Sequence, residues 1–226
     1  MTKVNKFRGR LAEYQKQAFA GCQIEFQAIR PVSGFEELSP PTKHKMPYSY
    51  ILRMLKNPRT TGALAPSSAR LARELANLAK DSENVLELGA GTGAVTQALS
   101  KVVNEEKLQV VELQKKLAAS LKKRYPNLKV LHSTAHCALD NYRQCGSVAV
   151  VSSLPFRSLP PAMKHLTVQS LLAFLRSSPD SQLIQYTYGL SAPFRAPAGF
   201  KWQQIKWVLT NFPPACIWVL TKTPDQ

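Results

Sequence analysis

Two kinds of hydrophobic spacing divide this chain. From Phe7 to Ile29 the apolar positions Phe7, Leu11, Tyr14, Ala18, Cys22, Phe26 and Ile29 recur at three- or four-residue steps. That spacing describes one helical face. Lys3, Lys6, Arg8, Arg10 and Lys16 flank it, and Gly21 interrupts it. Pro31 to Pro47 contains four prolines, a glycine and two serines, which predicts a loop or lid. Tyr48 to Lys56 offers a short helix with Ile51, Leu52 and Leu55 on one side. After Asn57 to Ser68, Ser67 or Ser68 can cap a helix that runs to about Ala79. The pattern then alternates between short apolar runs and helical stretches. It predicts elements over Asn84 to Leu88, Ala94 to Val103, Leu108 to Glu112, Gln114 to Tyr125, Leu128 to His132, Ser147 to Ser152, Pro161 to Leu175 and Gln182 to Tyr188. Crossovers of this length build a mostly parallel sheet with helices on both faces. Trp202 to Leu209 and Cys216 to Thr221 follow one another through Asn211-Phe212-Pro213-Pro214 with no helix between, so they should pair antiparallel at one edge.

The segment V-L-E-L-G-A-G-T-G-A-V-T-Q-A-L, Val85 to Leu99, joins a strand to a helix through Gly89, Gly91 and Gly93. Such glycines allow a sharp turn and bare backbone against a ligand. Gly89, Gly91 and Ala94 also satisfy a dinucleotide fingerprint, so the glycines alone leave two cofactors open. Glu87 favours the cationic one. A carboxylate two residues before the first glycine would sit near anionic pyrophosphate in a nicotinamide enzyme, but faces the methionine ammonium of S-adenosyl-L-methionine. Glu112, at the end of the next strand, can accept hydrogen bonds from both ribose hydroxyls. With the antiparallel ending, this predicts an α/β, Rossmann-like class I methyltransferase fold. It would have a seven-stranded, mostly parallel sheet, an antiparallel C-terminal strand pair and an N-terminal helical extension. The boundary is placed between an extension and lid at 1–57 and a catalytic domain at 58–226.

Charge widens the list of partners. Thirty Lys and Arg stand against fourteen Asp and Glu, a formal net charge of +16, which favours a polyanion such as RNA or an anionic membrane surface. Residues 1–60 carry eleven of the basic and four of the acidic side chains, so the extension is a candidate contact surface. A basic amphipathic helix can lie in a membrane interface, and it can equally pack on the catalytic domain. No apolar run reaches the roughly 18 residues of a membrane span, and no secretory signal pattern opens the chain. The expectation is a cytoplasmic protein, peripherally associated with the inner face of the cytoplasmic membrane. Cys22, Cys137, Cys145 and Cys216 are widely spaced without a C-x-x-C pair, which predicts free buried thiols and no metal site.

Four segments carry a family resemblance: K-N-P-R-T-T-G-A-L-A-P-S-S at Lys56 to Ser68, V-L-E-L-G-A-G-T-G-A-V-T at Val85 to Thr96, V-S-S-L-P-F-R-S-L-P at Val151 to Pro160, and Q-Y-T-Y-G at Gln185 to Gly189. Over about Leu52 to Gln226 the chain resembles the bacterial phospholipid N-methyltransferases, which act on phosphatidylethanolamine or ornithine lipids and are related to the ribosomal RNA adenine dimethyltransferases. The resemblance implies a cofactor set of Glu87, Gly89, Ala90, Gly91, Thr92, Gly93, Glu112, Leu113, Thr134, Ala135 and Ser152. It implies a substrate set of Arg59, Thr60, Leu154, Pro155, Phe156 and Arg157, and catalytic roles for Ser153 and Tyr188. Two departures stand out. RNA adenine enzymes typically carry N-L-P-Y where this chain has Ser153-Leu154-Pro155-Phe156. Related enzymes also place G-D-A after the third strand, where Ser133-Thr134-Ala135 stands here, so a neutral hydroxyl replaces the aspartate that takes a hydrogen bond from the adenine amino group. His136 is a neighbour able to compensate.

Methyl transfer from a sulfonium is an in-line displacement that needs alignment and exclusion of water rather than a covalent nucleophile. An ethanolamine ammonium must first lose a proton, and Tyr188, Tyr186 and His165 are candidate bases. Arg157 can pair with a lipid phosphate or carboxylate, and Phe156 or Tyr188 can face a methylated cation. The leading expectation is therefore methylation of the amino headgroup of a membrane lipid, bound through the N-terminal helix. The alternatives are an RNA adenine N6-methyltransferase and a non-catalytic lipid- or RNA-binding protein on the same fold.

Overall fold

The computed structural model describes residues 69–143, 145–178, 180–211 and 213–223. The amphipathic N-terminal segment, the boundary placed at 57/58 and the substrate candidates Arg59 and Thr60 lie outside the described residues.

The first described helix, α1 (Ala69–Ala79), places Leu71, Ala72, Leu75, Ala76 and Ala79 on one buried stripe. The chain then enters β1 (Asn84–Leu88), α2 (Ala94–Leu99), β2 (Leu108–Glu112), α3 (Lys115–Arg124), β3 (Lys129–His132), α4 (Ala135–Asp140), β4 (Val148–Ser152), α5 (Pro161–Ser177), β5 (Gln182–Thr187), β6 (Phe200–Val208) and β7 (Ala215–Lys222). The strands form one seven-stranded sheet in the order β3-β2-β1-β4-β5-β7-β6. Neighbours from β3 to β5 run parallel, and β7 runs antiparallel to both β5 and β6. The predicted seven-stranded α/β fold with its antiparallel C-terminal pair is the one observed.

Alternate residues of the central strands feed two cores. Val85, Val110, Val130, Val151, Ile184, Ile217 and Val219 meet α1, α2 and α3. Leu86, Leu88, Val111, Val150, Leu183 and Leu220 meet α4 and α5. Fully burying each such leucine contributes about 1.5–3 kcal/mol, so the strands are fixed in register and their carboxyl ends form a level rim. That rim carries the candidate site.

Three departures from the sequence pattern have physical causes. The helix begun at Ala94 ends at Leu99, and Val103 N–H reaches back to the Leu99 carbonyl so that the following turn tucks Val103 into the core. The six residues of α4 are too few to display a helical period, but Thr134 caps them by accepting the Cys137 N–H. In β6, an irregularity between Gln204 and Lys206 breaks the alternation. Gln204 and Lys206 therefore pair with the successive residues Trp218 and Ile217, while Trp202 and Ile205, an odd number of positions apart, pack with opposite cores.

Candidate cofactor and acceptor site

Gly89, Gly91 and Gly93 all have positive φ, at 76°, 57° and 88°. Their reasons differ. A Cβ on Gly89 would lie 2.9 Å from Leu154 Cδ2, and one on Gly93 would lie 2.6 Å from Leu121 Cδ2, so these two glycines serve packing of the loop on protein. A Cβ on Gly91 would meet nothing within 4 Å. Gly91 is therefore the position at which bare backbone borders open space, the condition for close approach of a ligand. Gly89 and Ala90 N–H groups both donate to the Val111 carbonyl, at 2.9 and 3.2 Å, tying the turn to β2. Arg124 Nη1 donates to the Thr92 carbonyl at 3.0 Å from the far end of α3.

Glu112 closes the second side. Its Oε2 accepts the Gly91 N–H and its Oε1 accepts the Gln114 N–H, both at 2.7 Å. Each oxygen keeps a lone pair, and the two-point hold fixes the carboxylate as an acceptor for a vicinal diol. Leu113 follows it at the strand end. Glu87 is fully buried beneath the glycine turn, where Thr96 Oγ1 donates to Oε2 at 2.7 Å. Its Oε1 has no protein partner. Burial is the main cause that pushes the Glu87 carboxyl up to about 8, and the Thr96 hydrogen bond offsets part of that rise. A buried carboxylate oxygen without a donor is a site for a cation or for a water that serves one.

At the end of β3, the Ser133 N–H donates to the Glu112 carbonyl at 3.3 Å, which ties the start of the Thr134-Ala135 segment to the end of β2. Thr134 Oγ1 accepts the Cys137 N–H at 3.3 Å and lies 3.4 Å from His136 Nε2. Across the rim, the Ser153 N–H donates to the Leu88 carbonyl at 2.9 Å, and Ser152 Oγ accepts the Leu154 N–H at 3.2 Å. The loop after β4 is thus pinned directly to the strand that feeds the glycine turn. Leu154 lies over Gly89, Pro155 is half-buried and Arg157 is exposed.

Two residues sit differently from their sequence-based assignment. Phe156 is 2 % exposed and packs edge-on against Phe194, with centroids 5.2 Å apart. Its ring anchors the loop in the core and presents no face to a ligand. Tyr188 is half-buried, with its ring edge-on to Tyr186 at 5.5 Å. Burial pushes its phenol above the ordinary tyrosine range, so it stays protonated and cannot act as a base at neutral pH.

Gln185 and Thr96 were not singled out by sequence reasoning. Gln185, paired with Ser152 across β4 and β5, is 2 % exposed and donates from Nε2 to the carbonyls of Leu154 at 3.1 Å and Tyr186 at 2.9 Å. It holds the acceptor loop from beneath. Its place inside the Q-Y-T-Y-G segment was the available signal. Thr96 had none, since a threonine on a helix is unremarkable until the fold sets it against Glu87.

The arrangement defines a class I methyltransferase fold with its cofactor cleft at the carboxyl ends of β1 to β4. The family model described as ribosomal RNA adenine dimethylase matches residues 69–174, which run from α1 to within α5. Curated relatives are named ribosomal RNA small subunit methyltransferase A. One from Bordetella avium is 35% identical over 83 residues, covering 36% of this chain and 31% of that protein. One from a Hydrogenobaculum species is 31% identical over 106 residues, covering 46% of this chain and 40% of that protein. The chain thus spans between about a third and two-fifths of the length of these relatives. Among solved structures, a Burkholderia thailandensis 1,6-didemethyltoxoflavin-N1-methyltransferase with bound S-adenosylhomocysteine matches with a TM-score of 0.55 at 15% identity, covering 82% of this chain and 93% of that one.

The cofactor of this class is S-adenosylmethionine. The residues present fit it, with open backbone at Gly91, a diol acceptor at Glu112 and an orphaned acidic oxygen at Glu87. The lipid reading is corrected by the same comparisons. The likeness is to ribosomal RNA adenine dimethylases, not to phospholipid enzymes, and the names of the curated relatives point to RNA. Net positive charge suits either polyanion and could not have separated them. Among the described residues, no helix is long and apolar enough to cross a membrane, and no group of three or more His, Cys, Asp or Glu is placed to hold a metal ion. Of the thiols expected to be buried, Cys216 is, whereas Cys137 is half-buried and Cys145 is exposed.

Proposed function

We propose that the protein is an S-adenosylmethionine-dependent methyltransferase that methylates the exocyclic amino group of an adenine in RNA. The observation that carries this reading is the continuity of the dimethylase match across both halves of the cleft, from α1 through the glycine turn to the loop after β4. The net charge of +16 supports it, because RNA association is driven by neutralisation of phosphates.

The bound cofactor supplies a methyl group on a sulfonium, which is electrophilic without further activation. The protein's part is alignment. Glu112 would hold the ribose hydroxyls and Glu87 the ammonium of the amino-acid end. Ser153, standing where RNA adenine enzymes have asparagine, accepts one amino hydrogen through its hydroxyl and points the nitrogen lone pair at the methyl. Leu154 and Pro155 wall off water on that side. Bound there, the cofactor would supply its methyl group to that nitrogen, and the amino proton would pass to water. No deprotonating base is needed before attack, since an adenine amino group is neutral. This agrees with a Tyr188 that stays protonated.

The test is incubation of the purified protein with methyl-labelled S-adenosylmethionine and a total cell extract, followed by separation of RNA from organic-soluble lipid. Label is expected in RNA. Label in the organic phase, or in neither fraction when deproteinised RNA and ribosomal particles are both supplied, would overturn the proposal.

A further inference from the structure

The carboxylate that related enzymes place after β3 can only accept hydrogen bonds, and therefore demands a donor from the cofactor's purine. This chain has no carboxylate there. Its place is taken by Thr134, whose hydroxyl is coupled to His136. We infer that this hydroxyl–imidazole couple reads the purine 6-position in either polarity, so that the cleft accepts a 6-oxo purine nucleoside about as well as the 6-amino one. The inference rests on the cofactor assignment above and extends it to base selectivity.

The hydrogen bonds around Thr134 can be counted. A threonine hydroxyl has one proton and two lone pairs. One lone pair is taken by the Cys137 N–H at 3.3 Å. The second contact is His136 Nε2 at 3.4 Å, where donor and acceptor depend on the imidazole tautomer. With the imidazole proton on Nε2, the ring donates to Oγ1, both lone pairs are filled, and the Thr134 proton turns outward as a donor. With the proton on Nδ1, the hydroxyl donates to Nε2 and keeps one lone pair facing outward as an acceptor. The first state complements a purine 6-oxo group and the second a 6-amino group.

Two features keep both states within reach. A separation of 3.4 Å makes a long, weak hydrogen bond that locks neither arrangement. His136 Nδ1 is buried and has no protein partner, so no fixed donor or acceptor dictates the tautomer from the other side of the ring. The placement matches the role. Ser133, next in the chain, is tied to the Glu112 carbonyl, so Thr134 follows directly along the rim from the ribose acceptor.

The experiment is calorimetric titration of the full chain with S-adenosylhomocysteine and with S-inosylhomocysteine, which differ at the purine 6-position and its ring N1. The two affinities are expected to agree within about threefold in the native protein. Thr134→Asp keeps a side chain that can cap α4 but makes the group an acceptor only, and should raise preference for the adenosyl compound to about tenfold or more. Thr134→Ser should retain the native ratio. A native preference for the adenosyl compound of about tenfold or more would overturn the inference while leaving the cofactor site intact, as would an unchanged ratio in Thr134→Asp. Failure of the native protein to bind either compound would overturn the cofactor assignment and the inference together.

Discussion

The rim of the sheet has two halves, and they are built differently. On the β1–β2 side the polar groups converge: the two Glu112 oxygens hold two backbone N–H groups, Gly89 and Ala90 share one carbonyl, and Arg124 fastens the turn at Thr92. On the β4–β5 side the loop is held largely by carbonyls and apolar anchors, with Phe156 in the core and Gln185 beneath Leu154. Gln185 Oε1 is buried there without a partner. A cofactor shared across a large class can be met by a fixed cradle. An acceptor that varies from enzyme to enzyme can be met by a loop anchored from below, here with Ser153 and Pro155 half-buried and Arg157 exposed.

Substitutions can separate the halves. The largest effect is expected for Gly91→Arg, which fills the open space beside a backbone at φ 57° and should weaken S-adenosylhomocysteine binding more than about 100-fold. Gly93→Val is the contrasting variant. Its side chain meets Leu121, so thermal unfolding should reveal lost stability, on the order of 1–3 kcal/mol. Glu112→Ala removes the proposed ribose acceptor and releases two N–H groups, and calorimetry should record an affinity loss of about 10- to 100-fold.

Gln185→Leu probes the other half. It keeps bulk but frees the Leu154 carbonyl, so the methyl-transfer rate should fall about tenfold while S-adenosylhomocysteine affinity changes less than about twofold. Equal losses in both measurements would erase the distinction between cradle and loop.

Glu87 offers a signal in stability rather than in binding or rate. Its carboxyl is raised from 4.5 to about 8, so between those values the folded apoprotein keeps a proton that the unfolded chain has shed. The Glu87 contribution must therefore reduce stability as pH rises through that window, by at most about 1.4 kcal/mol per pH unit. Urea midpoints at pH 5 and 7.5 should fall further apart in the native apoprotein than in Glu87→Gln. The same slope in both would place the raised acid elsewhere.

The sequence made the first half legible and the second only in outline. The glycine turn and Glu112 are local: three glycines at fixed spacing and an acid at the end of the next apolar run define them without tertiary knowledge. The strands β1 and β2 have the bounds expected from sequence because each is a short apolar run, β1 ended by the glycine turn and β2 by Glu112. The roles of Thr96 and Gln185 and the burial of Phe156 depend on which elements become neighbours, so sequence marks at most the segment around Gln185 and not what it holds. The lipid substrate was read from charge and short segments, and charge is blind to the kind of polyanion.

The proposed activity of this cleft is methylation of adenine in RNA. Nucleoside mass spectrometry of RNA treated with the protein and deuterated S-adenosylmethionine tests it, with Gly91→Arg as the blank. Deuterated methyl groups are expected on the N6 position of adenosine, absent from the blank. Label confined to another nucleoside, or no label in RNA, would contradict it.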